Sequence, residues 1–495
     1  MTTENNAGTH ALDARAAFEY APAPESRAVV DIKSSYGLFV NGEFTDATEG
    51  RSFKTVSPAT EEVLAEVAEA SAEDVDRAVK AARRAYTKVW STMPGRERAK
   101  YLFRIARIIQ ERSRELAVLE SLDNGKPIRE SRDVDVPLVA SWFFYYAGWA
   151  DKLEYAGLST AESGPPKPLG VAAQVIPWNF PLMMLAWKIA PALAAGNTVV
   201  LKPAETTPLT ALLFAEICQQ ADLPPGVVNI VTGAGETGRA LVAHEDVDKV
   251  AFTGSTDVGK QIARAVAGTD KRVTLELGGK AANIVFDDAP VDQAVEGIVD
   301  GIFFNQGHVC CAGSRLLVQE SVAEDVLERL KRRMGTLRVG DPLDKNSDIG
   351  AINSLEQLKR IRELSDVGDA EGAERWTAAC DLPTKGFWFP PTIFTGVTQA
   401  HRIAREEIFG PVLSVLTFRT PAEAVEKANN TPFGLSAGVW TDKGSRILWM
   451  ADKLRAGVVW ANTFNRFDPA SPFGGYKESG YGREGGRHGL EAYVR

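Results

Sequence analysis

Residues 171–202 read VAAQVIPWNFPLMMLAWKIAPALAAGNTVVLK, and the fold turns on how this stretch divides. Its middle, Phe180 to Val200, approaches the length of a bilayer span. Lys188, Pro191 and Gly196 interrupt it at membrane depth, however, and Gly196-Asn197 followed by β-branched TVVL reads as a helix stop before a strand. The stretch therefore predicts a strand over 171–176, a buried helix to Ala195 and a second strand over 198–201. The same alternation continues with a helix to Ala221, then strands at 226–231, 249–253 and 273–277 separated by helices. Strands joined by helical crossovers make a parallel sheet whose ligands lie beyond the carboxyl ends of the strands. The expected class is α/β, with a Rossmann-like parallel sheet.

The residues that follow each strand are consequently the ones to inspect. Pro177-Trp-Asn-Phe-Pro181 presents Asn179 between two prolines that fix the backbone. Strand 198–201 ends in Lys202 and Glu205, and strand 249–253 ends in Gly254-Ser255-Thr256, whose following helix offers free N–H groups to a phosphate. Glu276 stands inside an otherwise apolar strand, a position costly for a carboxylate unless it faces a site or is paired. Gly233 to Gly238 fits GxGxxG, but it opens the third unit of the series and no acidic residue ends the next strand, so it reads as a tight turn over the sheet.

Further on, Phe304 to Arg315 (FNQGHVCCAGSR) holds Cys310 and Cys311 side by side among small residues. Adjacent cysteines alone read as apolar packing rather than as a nucleophile, since free Cys usually behaves as a small hydrophobe. The chain has four cysteines and five histidines with no CxxC pair and no matching His spacing, which argues against a zinc site. Sparse cysteine and an N-terminus without a basic-then-apolar leader predict a cytoplasmic protein. A net charge of −9 disfavours nucleic acid as partner, and 44% apolar with 24% charged residues suits a soluble globular enzyme with more than one packed unit over 495 residues.

Outward from this centre, residues 1 to about 35 lack periodicity and read as a loosely held arm. Asn41-Gly42 between apolar residues predicts a tight hairpin. Ser71 and Asp74 resemble a capping box, Tyr101 to Leu122 reads as one amphipathic helix, and Pro137 to Ala150 as a helix buried nearly all round. Ser159 to Gly170 breaks the pattern as a linker. In the second half, 282–286 and 314–318 predict strands, 322–334 a helix, and Ser365 to Lys385 a turn-rich surface loop.

Taken together, PWNFP, KPAE, FTGST, LELGGK, FNQG with AGSR, EEIFGPV and FGGYKESGYGRE resemble the aldehyde dehydrogenase superfamily in content and order, from about residue 38 to the C-terminus. The resemblance implies an NAD-dependent oxidation of an aldehyde to a carboxylic acid, with a homodimer or homotetramer as the working form. Carried over residue by residue, it makes Cys310 the nucleophile, Asn179 the oxyanion donor and Glu276 the base that activates water on a thioester. Ile176, Trp178, Lys202, Glu205, Ser255, Glu407 and Phe409 would contact the cofactor, and Lys188 and Glu484 would assist proton movement. A carboxylate at Glu205 favours a free ribose 2′-OH, hence NAD over NADP. The implied organisation is an arm at 1–35, an NAD-binding domain at 36–150 and 169–278, a catalytic α/β domain at 279–478, and an oligomerisation element from 151–168 and 479–495.

His308 and Val309 stand where many relatives carry Gln and Cys, which leaves the substrate open. The segment 151–168 looks shorter than the family's projecting hairpin. A CoA-acylating semialdehyde dehydrogenase is the enzymatic alternative, disfavoured by Glu276. A non-catalytic protein on the same fold is the other.

Overall fold

The computed structural model describes residues 21–158 and 164–495. The opening stretch divides as its sequence demands: strand Val171–Val175, helix Pro181–Ala195 and strand Thr198–Lys202, with Gly196 at φ 95° closing the helix in the left-handed region that costs glycine least. Every residue of Pro181–Ala195 is buried. That burial leaves the Lys188 ammonium no water, so it must find partners inside the protein. No helix among the described residues is long and apolar enough to cross a membrane.

Eight strands form the first sheet, in the order Gly480–Tyr481, Arg272–Glu276, Lys249–Thr253, Val171–Val175, Thr198–Lys202, Val228–Ile230, Leu38–Val40, Glu43–Thr45. The five central strands are parallel, and the order reverses between Val171–Val175 and Lys249–Thr253, so the crevice beyond those two strands is where a ligand fits. At one edge the Asn41-Gly42 hairpin adds two strands, both turn residues having positive φ. At the other edge Gly480 pairs antiparallel with Glu276, so a residue from the C-terminal end of the chain borders the predicted base.

The second sheet has seven strands, Glu374–Thr377, Thr392–Thr395, Val412–Phe418, Arg315–Gln319, Ala282–Val285, Ser436–Trp440 and Val458–Ala461, all parallel except the first. Ser71 caps helix Ala72–Ala85 with both hydrogen bonds of a capping box, as its spacing predicts.

Two local expectations need correcting. The stretch 101–122 is not one helix. Gly95–Glu111 and Ser113–Asn124 meet at Arg112, whose guanidinium turns the corner by binding Glu115 at 2.7 Å and Glu216 at 3.2 Å. Nor is 365–385 all loop. Helix Leu355–Ala370, capped by Ser354, runs through its start on a core stripe of Leu358, Ile361 and Leu364, and Glu374–Thr377 is an edge strand. Residues 1–20 of the expected arm and 159–163 of the expected linker lie outside the described residues.

Candidate active site

A cavity of about 450 Å³ opens where the ends of the two sheets meet. Asn179, Ser255, Glu276, Cys310, Glu407, Phe409, Trp178 and Glu484 all line it. Residues as far apart in sequence as Trp178 and Glu484 therefore converge, because the strands and turns that carry them end at this crevice. Ile176, Lys202 and Glu205 do not reach the cavity wall. They form a separate group in which Lys202 binds Glu205 at 3.4 Å and the Lys202 carbonyl accepts the Ile176 N–H at 3.1 Å.

The Cys310 segment depends on absent side chains. A Cβ on Gly279 would stand 2.3 Å from the Cys310 carbonyl oxygen, and one on Gly278 would stand 2.3 Å from Glu407 Oε2. The glycine pair after the Glu276 strand thus lets Cys310 and Glu407 close in from opposite directions. Glu407 Oε1 accepts the Gly279 N–H at 3.0 Å, leaving Oε2 for a ligand. Trp178 is fixed by Asn124, whose amide donates to the Trp178 carbonyl at 2.5 Å, and its ring meets Phe409 edge-on at 5.3 Å. Phe409 itself is held at φ 58°, a conformation unfavourable for a bulky residue, and Gln357 donates to the Phe409 carbonyl at 2.9 Å.

Asn179 is buried and donates its amide to the His308 carbonyl at 2.8 Å. An amide nitrogen carries two hydrogens, so the second is free to serve the cavity. Asn305 in turn donates to the Asn179 carbonyl at 2.7 Å, tying this group into the nucleophile turn.

Two titratable groups at the site, Glu276 and Cys310, are shifted toward their neutral, protonated forms. Both Glu276 carboxyl oxygens are buried without a hydrogen-bond partner, and burial, then the charge of Glu484, push the group well above the ordinary carboxylate range. Lys188 acts in the opposite sense, favouring the charged form. Cys310 is half-buried, and the adjacent Cys311 thiol followed by burial raises it well above the ordinary thiol range. These surroundings favour the thiol form of Cys310, which must lose its proton before the sulfur can act as a nucleophile. Behind Glu276, the Lys188 ammonium donates to Glu484 Oε1 and, at 2.6 Å, to Thr253 Oγ1, while Glu484 Oε2 remains unpartnered. Lys188, expected near the proton path, therefore stands one residue behind the cavity wall.

Ser255 caps helix Thr256–Val266 by accepting the Val258 N–H at 3.3 Å, with the free N–H end of that helix on the cavity side. The glycines at 233–238 do not line the cavity. Gly238 instead adjoins the Lys202 stem, where a Cβ would sit 3.7 Å from Cδ.

Sequence reasoning passed over two groups of lining residues. Gln357 and Arg360 project from the helix not anticipated there, and only its Ser354 cap and core stripe could have revealed it. An apolar wall of Met183, Trp187, Phe467 and Phe473 faces the other end of the cavity, with Trp187 meeting Phe473 edge-on at 5.4 Å. Its members come from helix Pro181–Ala195 and from the single loop between strand Val458–Ala461 and Tyr476–Lys477, far apart in sequence. Among the described residues no group of three or more His, Cys, Asp or Glu gathers as a metal site.

Comparison with known proteins agrees with this geometry. A family model described as "Aldehyde dehydrogenase family" matches residues 44–495. The mitochondrial aldehyde dehydrogenase of Homo sapiens is 46% identical over 489 residues, covering 97% of this chain and 94% of that one. The mitochondrial benzaldehyde dehydrogenase of Antirrhinum majus is 47% identical over 467 residues, covering 92% and 87%. Among solved structures, the NAD+ complex of an aldehyde dehydrogenase from Bacillus cereus superposes with a TM-score of 0.92 at 44% identity, covering 96% of this chain and 98% of that one.

Proposed function

Because the chain belongs to the aldehyde dehydrogenase family and oxidises aldehydes with NAD, we propose that it works through a covalent thiohemiacetal and then a thioester on Cys310, released as a carboxylic acid. The observation that carries this reading is Glu276. A buried carboxyl with neither oxygen bonded costs on the order of 1–3 kcal/mol or more, and here it sits in one cavity with a thiol. Structure alone would replace it; water activation requires it.

Cys310 Sγ, after yielding its proton to solvent in the open cavity, adds to the aldehyde carbon. The free hydrogen of the Asn179 amide, with the Cys310 backbone N–H, meets the developing oxyanion. Bound NAD supplies the hydride acceptor. The chain's residues fit that group: Glu407 Oε2 stands open toward a ribose hydroxyl, and the Thr256–Val266 helix end offers N–H groups to the pyrophosphate. Lys202 and the half-exposed Glu205 suit ribose hydroxyls at the adenosine end, where the carboxylate opposes a 2′-phosphate. Ile176, Trp178 and Phe409 frame the cofactor between these points. Glu276, as its carboxylate, then takes a proton from water, the hydroxide oxygen attacks the thioester carbon, and the C–S bond breaks to free the acid and return Cys310 as its thiolate. Lys188 and Glu484 carry that proton onward.

Apolar Met183, Trp187, Phe467 and Phe473 favour an alkyl or aryl aldehyde over a charged one. The reading also includes a nucleotide domain at 36–150 and 169–278 and a catalytic domain at 279–478, in keeping with the two sheets. It places the protein in the cytoplasm as a homodimer or homotetramer assembled through 151–168 and 479–495. In support of pairing those segments, Lys167 and Arg495 exchange backbone hydrogen bonds at 2.8 and 3.1 Å, and Tyr155 is 85% exposed.

The test is NADH production over a panel of alkyl, aryl and amino-aldehydes, with NAD or NADP and with or without CoA. Acid released with NAD in the absence of CoA is expected. Turnover that requires CoA would replace this mechanism with acyl transfer to a thiol.

A further inference from the structure

Directly behind the nucleophile turn lies a charge cluster that the mechanism above does not use. Glu120, Lys126, Glu130 and Asp135 are all buried, and one ammonium faces three carboxyl groups. Lys126 Nζ binds Asp135 Oδ2 at 2.5 Å and Glu120 Oε1 at 3.3 Å, and it lies 4.3 Å from the centre of the Phe180 ring. Glu120 Oε2 accepts the Leu182 N–H at 3.3 Å, at the start of the helix that follows Asn179. Lys126, Glu120 and Asp135 thus account for one another and for that helix end.

Glu130 does something different. Its Oε2 accepts the backbone N–H of Asn305 at 2.9 Å, across 175 residues of sequence. Asn305 opens a run of left-handed backbone, with φ 48° at Asn305, 54° at Gln306 and 74° at Gly307. For two non-glycine residues in succession this is a strained path that persists only where surrounding contacts over-determine it. The bond from Glu130 is one such contact. Gln306 supplies another, its side chain donating to the Ala351 carbonyl at 3.1 Å and accepting the Gly350 N–H at 3.1 Å.

What the strained turn achieves is the placement of Asn179. From it, the Asn305 side chain donates to the Asn179 carbonyl at 2.7 Å, and the His308 carbonyl receives the Asn179 amide at 2.8 Å. Cys310 follows two residues later. We propose that Glu130 is a positioning residue for aldehyde addition: by holding the Asn305 N–H it fixes the left-handed turn that sets the Asn179 amide and Cys310 at their working separation. The proposal rests on the roles given above to Cys310 and Asn179.

Reach, not charge, is the property this role requires. Burial pushes Glu130 up to about 8, so near neutral pH it is largely an uncharged carboxyl, which Gln copies in length and acceptor oxygen. Asp keeps the carboxyl but withdraws it by roughly one C–C bond, about 1.5 Å. A misplacement of that order at a reacting group costs on the order of 100-fold.

The experiment compares Glu130→Gln, Glu130→Asp and Asn179→Ala as full-length enzymes, reading the rate constant of the first-turnover NADH burst, NAD affinity by fluorescence quenching, and Tm. Glu130→Gln is expected to keep the burst within about threefold, whereas Glu130→Asp slows it by about 10- to 100-fold with NAD affinity unchanged. In an Asn179→Ala background, Glu130→Asp is expected to cost less than about threefold more, because the group it positions is already gone. A folded Glu130→Gln slowed tenfold or more, a Glu130→Asp with wild-type burst, or a full additional loss in the Asn179→Ala background each overturns the proposal. If Asn179→Ala alone leaves the burst unchanged, the failure lies in the oxyanion assignment on which the proposal rests.

Discussion

Asn179 donates its side-chain amide to the carbonyl of His308, two residues ahead of Cys310, at 2.8 Å. One hydrogen of the amide is thereby spent on orientation, and the other is directed by it. On the mechanism proposed above, removing the amide removes one oxyanion donor and loosens the turn before Cys310. Asn179→Ala is expected to lower kcat by about 10²–10³-fold, with NAD affinity unchanged. Steady-state kinetics with a saturating aldehyde, beside an NAD titration, checks both halves.

Glu276 has no hydrogen bond to lose, so replacing it by Gln is structurally mild. The first burst of NADH is expected to survive in Glu276→Gln while steady-state release of acid slows by about 10²–10⁴-fold, the range of a general base. Rapid-mixing absorbance at the NADH band separates the two phases. Loss of the burst itself would mean that Glu276 acts before the thioester forms.

The pH dependence follows from the same carboxyl. Its affinity for a proton is raised by burial and by Glu484, so the base form grows as pH rises, and acid release is expected to increase through neutral into alkaline pH. Lys188 stabilises the carboxylate. Lys188→Met is therefore expected to move the rising limb to higher pH, and Glu484→Gln to move it to lower pH, by removing a neighbouring negative charge. Two variants of one ion pair shifting the profile in opposite directions is a pattern that general loss of structure does not produce.

Much of this site was legible in the sequence because its residues sit immediately after predictable strands. Asn179 follows Val171–Val175, Ser255 follows Lys249–Thr253, and Glu276 ends Arg272–Glu276, so period and punctuation alone put them at one end of a sheet. Lys202 and Glu205 obey the same rule, yet they stand apart from the cavity wall, since each strand end opens onto its own part of the crevice. Less visible were Gln357 and Arg360, because the end of helix Leu355–Ala370 carries Ser, Gly and Asp that read as turn chemistry. Tertiary packing on Leu358, Ile361 and Leu364 overrides that local preference. The Glu120–Lys126–Glu130–Asp135 cluster was illegible for another reason: on one helix and the turns after it, these charges look like a solvated face until the fold buries them.

That cluster also carries a stability prediction. Lys126 is the only cation bound to Asp135 and Glu120 there among the described residues, and Lys126→Met would leave both carboxyls without it. A loss of about 3–5 kcal/mol is expected, as for breaking any fully buried pair from one side. Urea denaturation followed by Trp fluorescence measures it, and a change below about 1 kcal/mol would show that the carboxyls simply remain protonated.

In the proposed mechanism Cys310, and not its neighbour, carries the acyl group. Both cysteines border the cavity, but Cys311 is buried and donates its thiol to Asn465 Oδ1 at 3.7 Å, whereas Cys310 is half-buried. The direct measurement is the NADH burst of Cys310→Ala and Cys311→Ala, each with NAD binding confirmed by titration. Cys310→Ala is expected to bind NAD and give no burst, and Cys311→Ala to keep its burst; a burst from Cys310→Ala, or its disappearance only in Cys311→Ala, would move the acyl group to the neighbouring thiol.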